Sequence, residues 1–212
     1  LDLIEHLEVI PGFILIQSHT DGLSIKIPNT DAAFEMLDDI CWEWEERCST
    51  PACDIRLELD CVSKIWQKDV QTYLWIDIDG DVERKCAYVK SLSALDYDLP
   101  IINEAMVKFM VENIPISTTI NGCNDLIKFQ KVVKLSNKYH HVEHENLATG
   151  KNKVYDYKCY RVFASLDRAD GRILKCRAGD SPAKFGNTPE HCFVFNDSMS
   201  GVQVPTKLDR QW

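Results

Sequence analysis

The stretch ILIQSHTDGLSIKI, residues 14–27, decides the fold of the first part of this chain. Apolar residues fill both of its halves, and Thr20-Asp21-Gly22 interrupts them in the middle. An Asp-Gly pair between two β-prone runs is a strong signal for a β-hairpin. The sequence therefore predicts two strands, at 13–17 and 23–27, joined by a tight turn.

The carboxylate of Asp21 is open to two interpretations, a turn residue or a functional group. Asp-Gly also occurs at residues 79–80 and 170–171, in the charged surroundings DIDGDVER and DRADGR, which are typical of solvated tips. Asp21 instead follows an apolar run, and an acid at the mouth of a buried hairpin needs compensation, for example by a divalent metal. We expect Gly22 to turn with positive φ and to leave room for an incoming group.

Working outward, hydrophobic spacing and capping residues predict an alternation of helices and strands. The predicted elements are the end of a helix at 1–10, a helix at 28–49 capped by Asn29 or Thr30, a strand at 54–60, a hairpin at 71–89 turning at Asp79-Gly80, helices at 98–113 and 124–134, and a β region from 154 onward.

This order of elements predicts an α+β fold with two lobes. The first lobe, residues 1–98, would hold an antiparallel sheet with a flanking helix. The second, residues 99–212, would mix helices with strands.

Composition and cysteine usage limit the class of protein. With 45% hydrophobic and 27% charged residues, the chain has the composition of a folded soluble protein. No run approaches the roughly 18 apolar residues of a membrane span, so no membrane partner is expected. Nine cysteines without a Cys-x-x-Cys pair favour reduced thiols and a cytoplasmic location. The first residue is not Met and the end is abrupt, so we expect a segment of a longer protein.

Charge is unevenly distributed along the chain. The net charge is −9, but residues 29–60 hold ten acids against two arginines, and residues 126–161 hold eight basic residues against three acids. One part could face metal ions and the other a polyanion. The basic stretch KFQKVVKLSNKYHH, residues 128–141, is open to two interpretations: a surface for a nucleic-acid backbone or a solvated helix face.

A second possible metal site lies in HHVEH, residues 140–144. His140 and His144 are at helical spacing and could bind a metal. The run precedes ENLATGKNK, which we expect to be the tip of a hairpin.

The segment QSHTDG, residues 17–22, resembles the Asp-Thr-Asp motif of family B DNA polymerases, in the Asn-Thr-Asp-Gly form associated with bacteriophage enzymes. The order downstream is similar to the palm of that family: a helix, the acid-bearing RLELD, and then KIWQKDVQTYLWIDIDGDVERKCAYV, which resembles the Lys-Lys-Arg-Tyr segment near the primer 3′ end. DLPIINEAMVKFMVENIP is similar to the opening helix of the thumb.

The resemblance implies a palm-like region at 1–98, a thumb-like region at 99–212, and a DNA-directed DNA polymerase. Asp21 would be catalytic, as a ligand of Mg²⁺, with two ions expected in the complete enzyme. Residues implied to contact the primer-template DNA are Thr20, Lys64, Lys68, Tyr73, Lys128, Lys131, Lys134 and Lys138. Deoxynucleoside triphosphates and the upstream palm, fingers and exonuclease portions of the same protein would be further partners, and the location would be the host cytoplasm for a phage-encoded enzyme.

The sequence departs from the family at two points. His19 stands where the first acid of Asp-Thr-Asp would be. Lys68 and Tyr73 are five positions apart, and Gln71 and Thr72 precede the tyrosine. Neither the upstream acid motif nor the fingers motif is present, so we expect this chain to be inactive alone. Two rival hypotheses are a non-catalytic nucleic-acid-binding module and an acidic interaction protein without a DNA role.

Overall fold

A computed structural model describes residues 1–69, 71–86 and 89–212, and these form two compact units, Leu1–Glu83 and Arg84–Trp212. The boundary precedes the one placed at 98/99 from the sequence, because the intervening loop is bonded within the second unit. The Gln130 side-chain amide donates to the Tyr97 carbonyl at 2.8 Å, and the Leu99 N–H donates to the Gln130 carbonyl at 2.8 Å.

The first unit contains two helices and two small sheets among its described residues, and the strand at Val82–Lys85 continues past the last residue of the unit, Glu83. A two-stranded antiparallel sheet pairs β1 with β2, and a second sheet has the order β3-β4-β5. The bounds are α1 Asp2–Leu7, β1 Ile14–His19, β2 Gly22–Lys26, α2 Asp31–Cys48, β3 Val62–Asp69, β4 Thr72–Asp77 and β5 Val82–Lys85.

Helix α2 supports the β1–β2 hairpin, as its sequence pattern predicts. Thr30 is the N-cap, and its hydroxyl accepts the Ala33 N–H at 3.3 Å. Ala33 and Leu37 are buried in a cluster with Leu7 and Ile10. Leu23 and Ile25 of β2 pack against this cluster, with Phe13 and Ile27 at the ends of the hairpin, so this face of β2 is covered.

The second unit contains α3 and α4, a one-turn 3₁₀ helix and two sheets in its described part. One sheet has the strand order β12-β9-β6 and the other β11-β10-β7-β8. The bounds are α3 Pro100–Glu112, α4 Ile116–Gly122, 3₁₀ Leu126–Phe129, β6 Lys131–Lys134, β7 His141–Asn146, β8 Lys153–Tyr155, β9 Cys159–Ala164, β10 Asp170–Cys176, β11 Ala183–Lys184 and β12 Cys192–Val194.

Strand β9 places buried apolar side chains on both of its faces. Tyr160 and Val162 join a cluster that draws on both sheets, so the sheets pack face to face. Phe163 projects to the other side, where it packs with the 3₁₀ helix, α3 and Leu208. The three-stranded sheet is therefore the middle layer of this unit.

Two predicted elements are wrong. Residues 54–60 alternate like a strand but form none. The Leu57 N–H donates to Glu45 at 2.6 Å, and Arg56 pairs with Glu45, so the segment is held to α2 rather than to another strand.

The predicted helix at 124–134 is the second error. Asp125 caps a single 3₁₀ turn, and residues 131–134 form β6, which pairs with β9. The branched side chains of Val132 and Val133 favour a strand, and Val133 is buried in the cluster between the sheets. Tertiary pairing thus overrides a pattern that also fits a helix.

The α+β class is confirmed, with antiparallel pairing and helices in both units. The hairpins at 14–26 and 72–85 and the helix at 100–112 are found where expected. Ala87 and Tyr88, part of the predicted second hairpin, lie outside the described residues. In the described parts of the chain, no helix is both long enough and apolar enough to cross a bilayer.

Candidate functional site

Asp21 lies at the tip of the β1–β2 hairpin. His19 pairs with Gly22, so the turn consists of Thr20 and Asp21 alone. Gly22 is the first residue of β2 and does not have positive φ, which corrects the expectation that it makes the turn. Asp21 is exposed, and within the described residues its carboxylate takes part in no hydrogen bond or ion pair.

The hairpin is less buried than its sequence suggests. Ile14, Leu15 and Ile16 are 54%, 39% and 44% exposed, because the cluster formed with α2 includes residues of β2 and none of β1. The energetic argument for compensating a buried acid therefore does not apply to Asp21 in this chain. What remains is an unengaged carboxylate on a supported hairpin, which is braced further by a hydrogen bond between Gln17 and Gln67 of β3.

The other two Asp-Gly pairs serve different purposes. Asp79-Gly80 is the solvated tip expected between β4 and β5: Gly80 has φ of 90°, and the Asp77 carboxylate accepts the N–H groups of Asp79 and Asp81. These hydrogen bonds from backbone N–H groups to the Asp77 carboxylate stabilise the tip.

Asp170-Gly171 is not a solvated tip, contrary to the sequence-based expectation. Asp170 is only 16% exposed, and its carboxylate accepts the Ser165 hydroxyl at 2.6 Å and the Lys207 ammonium at 2.9 Å. Gly171 is needed for packing, since a Cβ there would lie 2.5 Å from the Cβ of Glu145. This Asp-Gly pair joins β10 to the C-terminal segment.

We expect Asp170→Ala to lower the free energy of unfolding by about 2 kcal/mol, because it leaves the buried Ser165 hydroxyl and Lys207 without their acceptor. Denaturant unfolding followed by circular dichroism measures the change. Asp79→Ala is the matched control and should change stability by less than about 0.5 kcal/mol. Equal effects of the two substitutions would contradict the structural role of Asp170.

Three of the residues predicted to contact the primer-template DNA, Lys64, Lys68 and Tyr73, lie on the β3–β4 hairpin but on both of its faces. Lys64 is opposite Ile76, and Gln67 is opposite Tyr73. Opposed residues of an antiparallel pair share a face, and neighbours along a strand alternate. Lys64 and Tyr73 therefore project to opposite sides of the β3–β4 pair, so the structure does not bring them together.

Lys68 and Tyr73 differ in how they are engaged. Lys68 lies where the register shifts between Gln67 and Asp69 and is exposed. The Tyr73 hydroxyl donates to Glu83 at 2.7 Å, and its ring stacks on Trp75 at 4.8 Å. The hydrogen bond to Glu83 and partial burial raise the pKa of Tyr73, so its hydroxyl is held as a neutral donor.

Two of the four predicted lysines in the second unit are bound to acids. Lys128 contacts Glu104 at 2.6 Å, and Lys131 contacts Asp98 at 2.5 Å. Because 131–134 is a strand, Lys131 and Lys134 project to opposite faces rather than along one helix face. The basic helix face expected from the sequence does not form.

The other two lysines contact aromatic rings. Lys134 lies 5.5 Å from the ring of Tyr97, and Lys138 lies 5.4 Å from the ring of Tyr139. Lys175, which the sequence analysis did not single out, is 5.1 Å from the same Tyr139 ring. No acid pairs with these three ammonium groups within the described residues. Contact with the Tyr97 hydroxyl raises the pKa of Lys134, which keeps it charged.

Tyr97 and Lys134 also border an open cleft of about 460 Å³. Arg161 on its wall is held by the backbone carbonyls of Phe195, Asn196 and Asp197. Tyr97 and Lys175 are distant in sequence from the basic stretch at 128–141. Nothing in the local pattern predicts that Tyr97 contacts Lys134 or that Lys175 contacts Tyr139. We call Lys134, Lys138 and Lys175, with Tyr97 and Tyr139, the lysine–tyrosine group.

The predicted metal pair His140 and His144 does not form. The run lies on β7 rather than on a helix, and the His144 ring donates to the Cys192 carbonyl at 2.6 Å. His141 and Glu143 share the other face of this strand. All nine cysteines are free thiols, as the sequence suggests.

No family model, curated protein or solved structure matches this chain. The residues and their geometry must therefore support any functional assignment.

Proposed function

We propose that this chain is part of a metal-dependent nucleotidyltransferase, with Asp21 as one of its metal ligands. The observation that carries the proposal is an exposed carboxylate at the two-residue tip of a braced hairpin, with no hydrogen bond or ion pair to any described residue. Within that class, the SHTDG motif and the order of elements favour a family B-like, phage-type DNA-directed DNA polymerase. The first unit would belong to its palm and the second to its thumb.

The carboxylate of Asp21 fits the preference of Mg²⁺ for hard oxygen ligands. Such a site needs one or two carboxylates together with substrate phosphates. Two ions bound there would stabilise charge on the attacking 3′-oxygen and on the pyrophosphate leaving group. The hairpin, which packs on α2, would hold the carboxylate of Asp21 in place. An upstream portion of the same protein would supply a second acid.

The exposed apolar residues of β1 support the need for such a partner. Ile14 and Ile16 lie in a strand that pairs with β2 and with no other strand in the described part of the chain. A strand edge with exposed apolar side chains is favourable for further pairing. Further palm strands of the same protein would cover this edge and bring the second acid toward Asp21.

The lysine–tyrosine group supports a role in holding duplex DNA. Ammonium groups free of acid partners can contact phosphates without reading sequence, as a polymerase on any template requires. Lys128 and Lys131 are less suited, because binding phosphate would break their ion pairs with Glu104 and Asp98. Lys134 and Lys138 are therefore the DNA contacts that we retain, with Lys175 added.

We expect this chain to bind a labelled primer-template duplex with an affinity that falls steeply with salt, because bound lysines release counterions. Lys134→Ala/Lys138→Ala should reduce the slope of log affinity against log salt by about 2, at about 0.9 for each phosphate contact. Fluorescence anisotropy across a salt series measures both quantities.

Lys108→Ala/Lys184→Ala is the matched control, since it removes the same charge from lysines that pair with Glu104 and Glu190. An equal reduction of the salt slope by the two double variants would show that DNA binding depends on net charge and not on the lysine–tyrosine group. Complete absence of salt-dependent binding would reject the polymerase proposal and favour the acidic interaction protein.

A non-catalytic nucleic-acid-binding module is the second candidate. It is favoured by one observation, that His19 occupies the position of the first acid in the family motif. This candidate predicts the same DNA binding but no dependence of any activity on Asp21.

A further inference from the structure

Three side chains of types that can ligate a metal meet on one face of the β7–β10 pair. His141, Glu143 and Cys176 each offer one ligand atom, and these atoms lie within 4.8 Å of one another. The Nε2 of His141 is 3.2 Å from Oε1 of Glu143. Nothing in the proposed polymerase function requires this cluster.

Strand pairing explains why these residues meet. His141 of β7 is directly opposite Cys176 of β10, and Glu143 follows His141 by two residues on the same face. Residues that share a face of adjacent strands have Cβ atoms close enough for their side chains to interact. The backbone ladder therefore fixes the three side chains relative to one another.

The cluster is partly shielded from solvent, and a neighbouring side chain holds Glu143 in position. Cys176 is buried, whereas His141 and Glu143 are partly exposed. The Asn152 side chain donates to the second carboxylate oxygen of Glu143 at 2.9 Å. Such an outer hydrogen bond orients a ligating carboxylate. Burial raises the pKa of the Cys176 thiol, and the adjacent Glu143 charge adds to the effect.

We propose that His141, Glu143 and Cys176 bind one Zn²⁺ ion. A nitrogen, an oxygen and a sulfur ligand form a donor set suited to Zn²⁺, with bonds of about 2.0 to 2.3 Å. Tetrahedral geometry with such bonds places ligand atoms about 3.3 to 3.6 Å apart, close to the observed His141–Glu143 separation. Water would take the fourth position, on the exposed side of His141 and Glu143.

Binding requires proton release but no redox step. The Cys176 thiol loses its proton to solvent and becomes a thiolate, and neutral His141 donates its Nε2 lone pair. The contact between His141 and Glu143 would be replaced by bonds from both residues to the metal. The ion would link β7 to β10 and thereby stabilise the four-stranded sheet. Its thiolate ligand separates this site from the all-oxygen magnesium site proposed at Asp21.

Titration of the purified, metal-free chain with Co²⁺ tests the proposal. We expect one ion per chain, a thiolate-to-cobalt charge-transfer absorption, and displacement by Zn²⁺. Cys176→Ser should remove the charge-transfer band and weaken binding by at least about 100-fold, since even loss of an outer-shell partner costs about 10- to 100-fold. His140→Ala alters an adjacent, exposed histidine outside the cluster and should leave binding unchanged.

Two further measurements keep the test decisive if Cys176→Ser does not fold. His141→Ala changes a partly exposed residue and should weaken binding while retaining the charge-transfer band. In the unaltered chain, Zn²⁺ at 100 times its dissociation constant should raise Tm by roughly 5 to 10 °C. Absence of binding, absence of the thiolate band, or equal effects of His140→Ala and His141→Ala would each overturn the site.

Discussion

We expect Asp21→Asn to lower the rate of primer extension by the complete gene product about a thousandfold or more, because the substitution removes a catalytic metal ligand. The metal contributes several kcal/mol of transition-state stabilisation, and each 1.36 kcal/mol is a factor of ten in rate. An amide keeps the size of the side chain but loses its negative charge. Because Asp21 is exposed and makes no contact in the described chain, the substitution should leave stability unchanged.

Asp79→Asn is the matched control, because Asp79 is also an exposed acid at a hairpin tip of the same unit. It should retain full activity. Calorimetric titration with Mn²⁺ provides a second measurement, in which Asp21→Asn weakens metal binding and Asp79→Asn does not. Retained extension by Asp21→Asn would show that Asp21 is a turn residue only. Absence of extension by the unaltered gene product would favour the nucleic-acid-binding module.

Phe163→Ala should lower the free energy of unfolding of the second unit by about 3 to 5 kcal/mol. Phe163 is completely buried in the middle layer, where its ring stacks on Phe193 at 5.2 Å. Truncation removes the transfer free energy of the ring and leaves a cavity beside Phe129 and Leu208. Denaturant unfolding and the loss of near-ultraviolet circular dichroism report the effect.

Phe109→Ala is the control for loss of a phenyl ring, because Phe109 on α3 is 47% exposed. It should cost less than half as much as Phe163→Ala, since a partly exposed ring loses less burial and leaves no closed cavity. Equal costs would contradict the position of β9 as the middle layer. A marginally stable protein has only about 5 to 15 kcal/mol in total, so Phe163→Ala should be the more damaging change.

The sequence predicted correctly those helices and strands for which several local signals, such as periodicity, caps and turn residues, indicate the same structure. The β1–β2 hairpin combines β-prone strands with a turn sequence, and α2 combines a cap at Thr30 with an apolar stripe through Leu37. Helix α3 begins at Pro100, which suits a first helical turn. In each case the residues that set the structure are neighbours in sequence.

The predictions failed for segments whose structure is determined by contacts with residues far away in the sequence. Alternation at 54–60 would need a neighbouring strand, but Glu45 of α2 binds that segment instead. Lys131 to Lys134 would fit a helix, but pairing with β9 makes them a strand. Asp170 resembles a solvated tip in sequence, but Lys207 and Ser165 enclose its carboxylate.

The sequence by itself determined the α+β class, the hairpin that carries Asp21 and the helix that packs beneath it, because these depend on periodicity, caps and turns within short segments. Only the tertiary structure decided which of the predicted lysines have no acid partner in the described part of the chain and which cysteine lies beside His141 and Glu143. Those properties depend on strand register and on contacts between residues far apart in the chain. Their energies arise only after the backbone has brought the partners together.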